Sequence, residues 1–175
     1  MSKDKELRIG SRLLIGAIAG FAGTLAMTAA MRRMHETLPP PERYPLTPRE
    51  IIDSAADAAE VPLSGEAAKD VTTAAHFLYG AASGALLGVA NASLGPVAGG
   101  AAGVGVWLGS YMGWIPAVKL LKPATDHPPR RNLLMLAAHV VWGVATAGAM
   151  RELVAARETI LKSGPDKDIP PSRRV

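Results

Sequence analysis

His76 and His139 are the only ionisable groups other than tyrosine inside the long apolar stretches of this 175-residue chain. They sit in matching settings. Ala74-Ala75-His76-Phe77-Leu78-Tyr79-Gly80 reappears 63 positions later as Ala137-Ala138-His139-Val140-Val141-Trp142-Gly143. On a helix, residues four and seven positions on share a face with the first. His76 therefore aligns with Gly80 and Ser83, and His139 with Gly143 and Thr146. Tyr79 and Trp142 stand about one turn beyond each imidazole. Two such faces meeting would enclose a small pocket, each side offering an imidazole, the space left by a glycine, and a hydroxyl. Such a pocket could hold a ligand, a water cluster or, if wide enough, a planar macrocycle between two axial nitrogens. The competing reading is packing, in which each imidazole bonds a carbonyl or a Ser/Thr hydroxyl on a neighbouring helix for about 0.6–2 kcal/mol.

Other chemistries lack their residues. Without cysteine there is no thiol nucleophile, disulfide or thiolate metal site. P-loop, HExxH and GxSxG patterns do not occur. Gly99, Gly100 and Gly103 lie inside an apolar stretch and follow no strand, so they are no dinucleotide fingerprint. The long apolar stretches contain no Asp, Glu, Lys or Arg, although ion pumps and proton-coupled carriers usually hold one as the relay. The net charge of +4 is spread over loops and ends without interleaved aromatics, which is not a nucleic-acid footprint. The expectation is a non-catalytic protein with no catalytic or metal-ligating set, its cofactor-binding candidates confined to His76 and His139.

The elements that must position the histidines follow from charge distribution. Leu13–Met31, Val71–Val118 and Asn132–Met150 carry no Asp, Glu, Lys or Arg over 19, 48 and 19 residues. A soluble helix would intersperse charge along its exposed face. A crossing of about 30 Å needs roughly 20 residues, so the long block holds two crossings. Its break falls at Asn91-Ala92-Ser93-Leu94-Gly95-Pro96, a cluster of turn formers. The expected fold is all-α: a membrane-embedded four-helix bundle with spans at about 12–32, 70–90, 96–118 and 132–151. Residues 1–162 form one domain, and 163–175 make a disordered tail rich in Pro and charge. The first span exceeds the usual 7–15-residue core of a signal peptide, so it is expected to stay uncleaved. With matched histidines on spans 2 and 4, the bundle reads as a 2+2 parallel repeat of hairpins.

Glycine supplies the expected adhesive, because small residues every fourth position let helix backbones approach in lipid. Gly16 and Gly20 mark span 1, and Gly80, Gly84 and Gly88 mark span 2. Span 3 carries two ribbons, Gly95/Gly99/Gly103 and Gly105/Gly109/Gly113. Gly84 and Gly109 are expected at contacts where only a hydrogen fits. In the long loop 32–70, Pro39-Pro40-Pro41 reads as extended. Thr47, Pro48 and Glu50 read as a capping box. A short amphipathic cap helix over about 48–60 follows, with Ile51, Ile52, Ala55, Ala56 and Ala59 on one face. Ser64 and Glu66 open the second long helix. His76 would lie about 9 Å and His139 about 12 Å into their helices, counted from Asp70 and Arg131 at the helical rise. His35 and His127 fall at the same end.

The chain resembles the YagU-like group of small four-span bacterial inner-membrane proteins. The resemblance is carried by Ala26-Met27-Thr28-Ala29-Ala30-Met31, Pro48-Arg49-Glu50-Ile51, His76-x-x-Tyr79-Gly80, Trp107-Leu108-Gly109-Ser110-Tyr111 through Pro116, and His139-x-x-Trp142-Gly143. It covers roughly residues 12–150. It implies a multi-pass bacterial inner-membrane location and no established activity. The functional expectation is a binding, scaffolding or accessory membrane protein. A small passive transporter or channel is the alternative, and a haem- or metal-binding redox subunit comes third. Its partners are the lipid bilayer and either a second copy or a larger membrane protein, with no nucleic acid. Lys and Arg are nearly balanced between the two sides, and both termini are expected in the cytoplasm.

Overall fold

A computed structural model of the protein describes residues 7–43 and 45–161. The tail expected at 163–175 lies outside these residues. Among the described residues all regular structure is helical. Helix α1 spans Ile9–Glu36, α2 Thr47–Ala58, α3 Gly65–Asn91, α4 Pro96–Leu108, α5 Ile115–Ala117 and α6 Pro129–Glu158. By length and composition α1, α3 and α6 can each cross a membrane. Their outer faces keep Leu14, Ile18 and Leu25, Leu78 and Leu86, and Leu133 exposed, a belt of apolar side chains suited to lipid.

Local chemistry sets the boundaries. Helix α1 ends at Thr37, whose hydroxyl donates to the Met34 carbonyl at 2.7 Å. The proline run beyond is extended only at Pro39, because Pro40–Glu42 form a 3-10 turn. Arg43 fixes that turn by donating to the Leu38 and Glu36 carbonyls, both at 2.7 Å. Ser64 caps α3 by accepting the Ala67 N–H at 3.2 Å. The break at residues 91–96 is a tight turn in which Asn91 Oδ1 accepts the Ser93 N–H, and Pro96 opens α4 at a position that needs no N–H.

Two expectations fail in the third apolar segment. It is not one continuous helix. After α4 it widens into a π segment, Gly109–Trp114, with Gly113 off helical geometry, before α5. Pro116 explains this, since it has no N–H for the carbonyl four residues back and crowds that turn. The second glycine ribbon does not pack either. A Cβ on Gly105 or Gly109 would meet open space, and one on Gly113 would come no nearer than 3.9 Å to the Leu108 carbonyl. Helix α4 touches α6 through a single face, that of Gly99 and Gly103. Residue 105 lies about 200° round the helix from 103, turned away from α6.

Gly95, expected in the first ribbon, also meets open space, whereas the ribbon glycines of α1 and α3 and Gly99 and Gly103 of α4 pack as expected. A Cβ on Gly20 would lie 2.8 Å from Gly84 Cα, and one on Gly143 would lie 2.9 Å from Gly103 N. Gly16 faces Gly84, Gly88 faces the Arg12 carbonyl, and Gly23 faces Thr146. These contacts join α3 to α1, α1 to α6 and α6 to α4, giving the lateral order α3–α1–α6–α4. Helices α3 and α4, consecutive in the chain, share no comparable face. Helix α2 lies on α3. One apolar core, with Met27, Met31, Tyr111, Leu134, Met135 and Trp142, fills the end near α2, and a smaller one, Ile15, Ala19 and Met150, fills the opposite end.

Candidate functional site

A cavity of about 220 Å³ lies at the α2 end, between the helices that share no face. Its walls come from α1, α2, α3, α4, the π segment, α5 and α6. His76, Tyr79, Gly80 and Ser83 of α3 line it, with His139 and Trp142 of α6. The two imidazoles expected to share a pocket therefore line the same one. Gly143 and Thr146 do not. Gly143 is pressed onto Gly99 and Gly103 of α4, and Thr146 is fully buried against Gly23 of α1. The reason is the order of the helices. Helix α6 sits between α1 and α4, so its histidine face is divided beyond Trp142 between two neighbours. His35 and His127 fall outside the lining, although His127 packs its ring 5.9 Å from that of Tyr111.

Hydrogen bonds commit most polar groups of the wall. His139 is 8% exposed, and its Nδ1 stands 2.7 Å from the Met135 carbonyl. A carbonyl only accepts, so Nδ1 carries the proton and Nε2 presents a lone pair. Trp142 Nε1 donates to the Gly20 carbonyl at 3.2 Å, and the Thr24 hydroxyl donates to the same carbonyl at 2.8 Å. At the α3–α4 opening a chain of donors runs in one direction. Trp114 Nε1 donates to the Tyr79 hydroxyl at 3.4 Å, Tyr79 pairs with Ser110 Oγ at 2.6 Å, and Ser110 donates to the Val106 carbonyl at 2.7 Å. Tyr79 and Trp114 are each 41% exposed and form the mouth. His76 lies edge-on to Phe77, with its Nε2 buried and without a partner among the described residues.

Helix α2 closes the end of the cavity with Thr47, Pro48, Ile51 and Ile52. Here the expected capping box is corrected. The helix begins at Thr47 without a side-chain cap. The Thr47 hydroxyl instead pairs with the Tyr111 hydroxyl and accepts from Arg131 Nη2 at 3.2 Å. Glu50 faces Arg131, which donates Nη1 to Oε1 at 3.1 Å and Nη2 to Oε2. The two-pronged pair joins α2 to the start of α6, with the Arg131 side chain only 4% exposed. The sequence alone marked Arg131 only as the start of the last apolar helix and Glu50 as part of a cap. The missed signal is Arg131 at the mouth of the last apolar segment, where a cation turned into the bundle needs a partner on another element.

The lining contains no Asp, Glu, Lys or Arg. Among the described residues no three metal-ligating side chains cluster. The volume falls below the roughly 300 Å³ at which drug-sized pockets begin. The occupant this geometry admits is small, uncharged and mostly apolar. No protein-family profile, curated protein or solved structure matches the chain.

Proposed function

We propose that the chain is a four-span protein of the bacterial inner membrane, with both termini in the cytoplasm, that binds a small apolar molecule without transforming it. The fourth crossing in this reading is the segment from α4 through α5, about 30 Å long at the helical rise. The segment is apolar, and its kink lies beside the cavity, as π-bulges often do at functional sites. A duplicated hairpin accounts for two features at once. Gly80 of α3 backs onto Gly20 of α1, and its counterpart Gly143 of α6 backs onto Gly99 of α4. The resemblance to YagU-like proteins supports the same topology. Binding fits an accessory or scaffolding role beside a second copy or a larger membrane protein, with the bilayer as the source of ligand.

The observation that carries this reading is the cavity itself. It is apolar, free of charged side chains and roofed by a helix fastened with a buried ion pair. The passive-channel alternative is less well supported, because glycine-to-backbone contacts fill the other half of the molecule and leave the cavity blind. The test is native mass spectrometry of protein extracted in mild detergent, compared with Ala75→Trp, which places an indole in the cavity. A small molecule held by the wild type and lost from a stably folded Ala75→Trp is the expected result. Equal retention by both would refute the site.

A further inference from the structure

The polar atoms left over at the cavity wall define what the occupant must offer. Trp142, Trp114, Tyr79, Ser110 and Thr24 spend their donors on carbonyls or on one another. Three groups remain. His139 Nε2 is an acceptor, because Nδ1 holds the proton against the Met135 carbonyl, and no bond to Nε2 exists among the described residues. The Ser83 hydroxyl, on a residue 9% exposed, also has no partner there and faces the same cavity. His76 Nε2 is likewise without a partner among the described residues. A polar group that faces an apolar cavity without a partner is destabilising, so all three positions favour an occupant that completes them. One acceptor-only nitrogen, one unpartnered imidazole and one hydroxyl match a group that can both donate and accept, namely another hydroxyl.

The wall also favours a ring. Tyr79, Tyr111, Trp114 and Trp142 line the cavity, four of the eight Phe, Trp and Tyr residues in a chain that is only 5% aromatic. Offset and edge-to-face packing of rings adds to simple burial. A carboxylate or ammonium would enter without a counter-charge, at a large desolvation cost.

We propose that the cavity selects a neutral phenol with a short apolar tail, its hydroxyl donating to His139 Nε2 and its ring packed among the tyrosines and tryptophans. The tail leaves between α3 and α4 toward lipid. This rests on the reading of the cavity as a binding site.

The test is calorimetric titration of the protein in detergent micelles, with protein-free micelles as the blank. The probes are 4-propylphenol, 1-methyl-4-propylbenzene, 4-propylcyclohexanol and 4-propylbenzoate. The phenol should bind about three- to tenfold tighter than its methyl isostere, the range one hydrogen bond supplies. His139→Phe should abolish that preference while retaining the isostere. Ser83→Ala should reduce the preference and serves if His139→Phe does not fold. Equal affinity for phenol and isostere would overturn the hydroxyl selection and leave the binding site standing. Cyclohexanol binding as tightly as the phenol would overturn the ring. Tighter binding of the benzoate would overturn neutrality. Failure of every probe to bind would overturn both this proposal and the binding reading beneath it.

Discussion

Gly84→Ala adds one methyl group where the backbones of α3 and α1 meet directly. Its carbon would fall 2.6 Å from Gly20 Cα and 2.8 Å from Gly20 N, with the Gly16 carbonyl oxygen nearer still. All of these are backbone atoms of a helix, so none can swing aside. Carbon atoms rest about 3.5–4.0 Å apart, and the two helices must part by roughly 1 Å. A gap of that size forfeits a quarter to a half of each dispersion contact it opens. The seam runs from Arg12 against Gly88 to Thr24 against Gly80, so the loss is spread along several contacts. Overpacking of this kind costs about 1–3 kcal/mol. Replacing glycine inside a helix returns up to about 1 kcal/mol. The net expectation is a loss of about 1–2 kcal/mol. Gly109→Ala is the counterpart, since nothing lies within 4 Å of its added carbon, and it should be neutral or stabilising by up to about 1 kcal/mol. Unfolding by SDS titration in mixed micelles, followed by circular dichroism, measures both. A Gly84→Ala protein as stable as wild type would refute the close approach. A Gly109→Ala protein weakened like Gly84→Ala would refute the single-faced packing of α4.

Three further outcomes follow from the site. Glu50→Gln should destabilise more than Arg131→Gln, by about 1–2 kcal/mol in the same assay. The Glu50 side chain is 26% exposed and can be hydrated alone, whereas the Arg131 guanidinium stays buried without its carboxylate. Tyr79→Phe removes the hydroxyl between Trp114 and Ser110. It should cost about 1 kcal/mol and increase collisional quenching of tryptophan fluorescence, and an unchanged quenching constant would show that the mouth does not depend on that bond. A reporter fused after Val175 should read cytoplasmic and one inserted within 36–45 periplasmic, and a periplasmic signal from the C-terminal fusion would invert the proposed topology.

Much of the architecture was legible because lipid and backbone geometry leave the sequence few choices. Charge-free runs located the apolar helices, Asn91–Pro96 located the turn, and Ser64 located the start of α3. Period-four glycine marked real contacts at Gly16, Gly20, Gly80, Gly84 and Gly99. It gave false positives at Gly95, Gly105, Gly109 and Gly113, because spacing identifies a smooth face without saying whether a partner lies across from it. The shared cavity of His76 and His139 was legible from the repeat. Its lower boundary was not, since the division of Gly143 and Thr146 between α4 and α1 depends on lateral helix order. The Thr47–Tyr111–Arg131–Glu50 fastening joins residues up to 84 positions apart, and no local pattern encodes such a link. A capping-box spacing and a hydrogen-bonded clasp look identical in one dimension.

On the proposed reading of two duplicated hairpins, the cavity persists because the two inter-hairpin seams are unequal. Under the proposed duplication, Gly20 of α1 corresponds to Gly99 of α4, since each backs onto one of the matched residues Gly80 and Gly143. Counting onward, Gly23 corresponds to Ala102. On the facing helices Thr146 corresponds to Ser83, and Trp142 to Tyr79. At the α1–α6 seam, Gly23 lets Thr146 settle against backbone, and the Trp142 indole reaches the Gly20 carbonyl at 3.2 Å. That seam closes. At the corresponding positions Ala102 stands for Gly23, Ser83 with its shorter hydroxyl for Thr146, and the Tyr79 phenol for the Trp142 indole. Tyr79 turns instead to Ser110, which the π segment holds within 2.6 Å. Ser83 is left with no partner across the gap, and the His139 ring is left uncovered on the same side. On the proposed duplication, the cavity is the second copy of a seam that three substitutions and one kink keep from closing, and His76, Ser83 and His139 keep unpaired polar atoms along it.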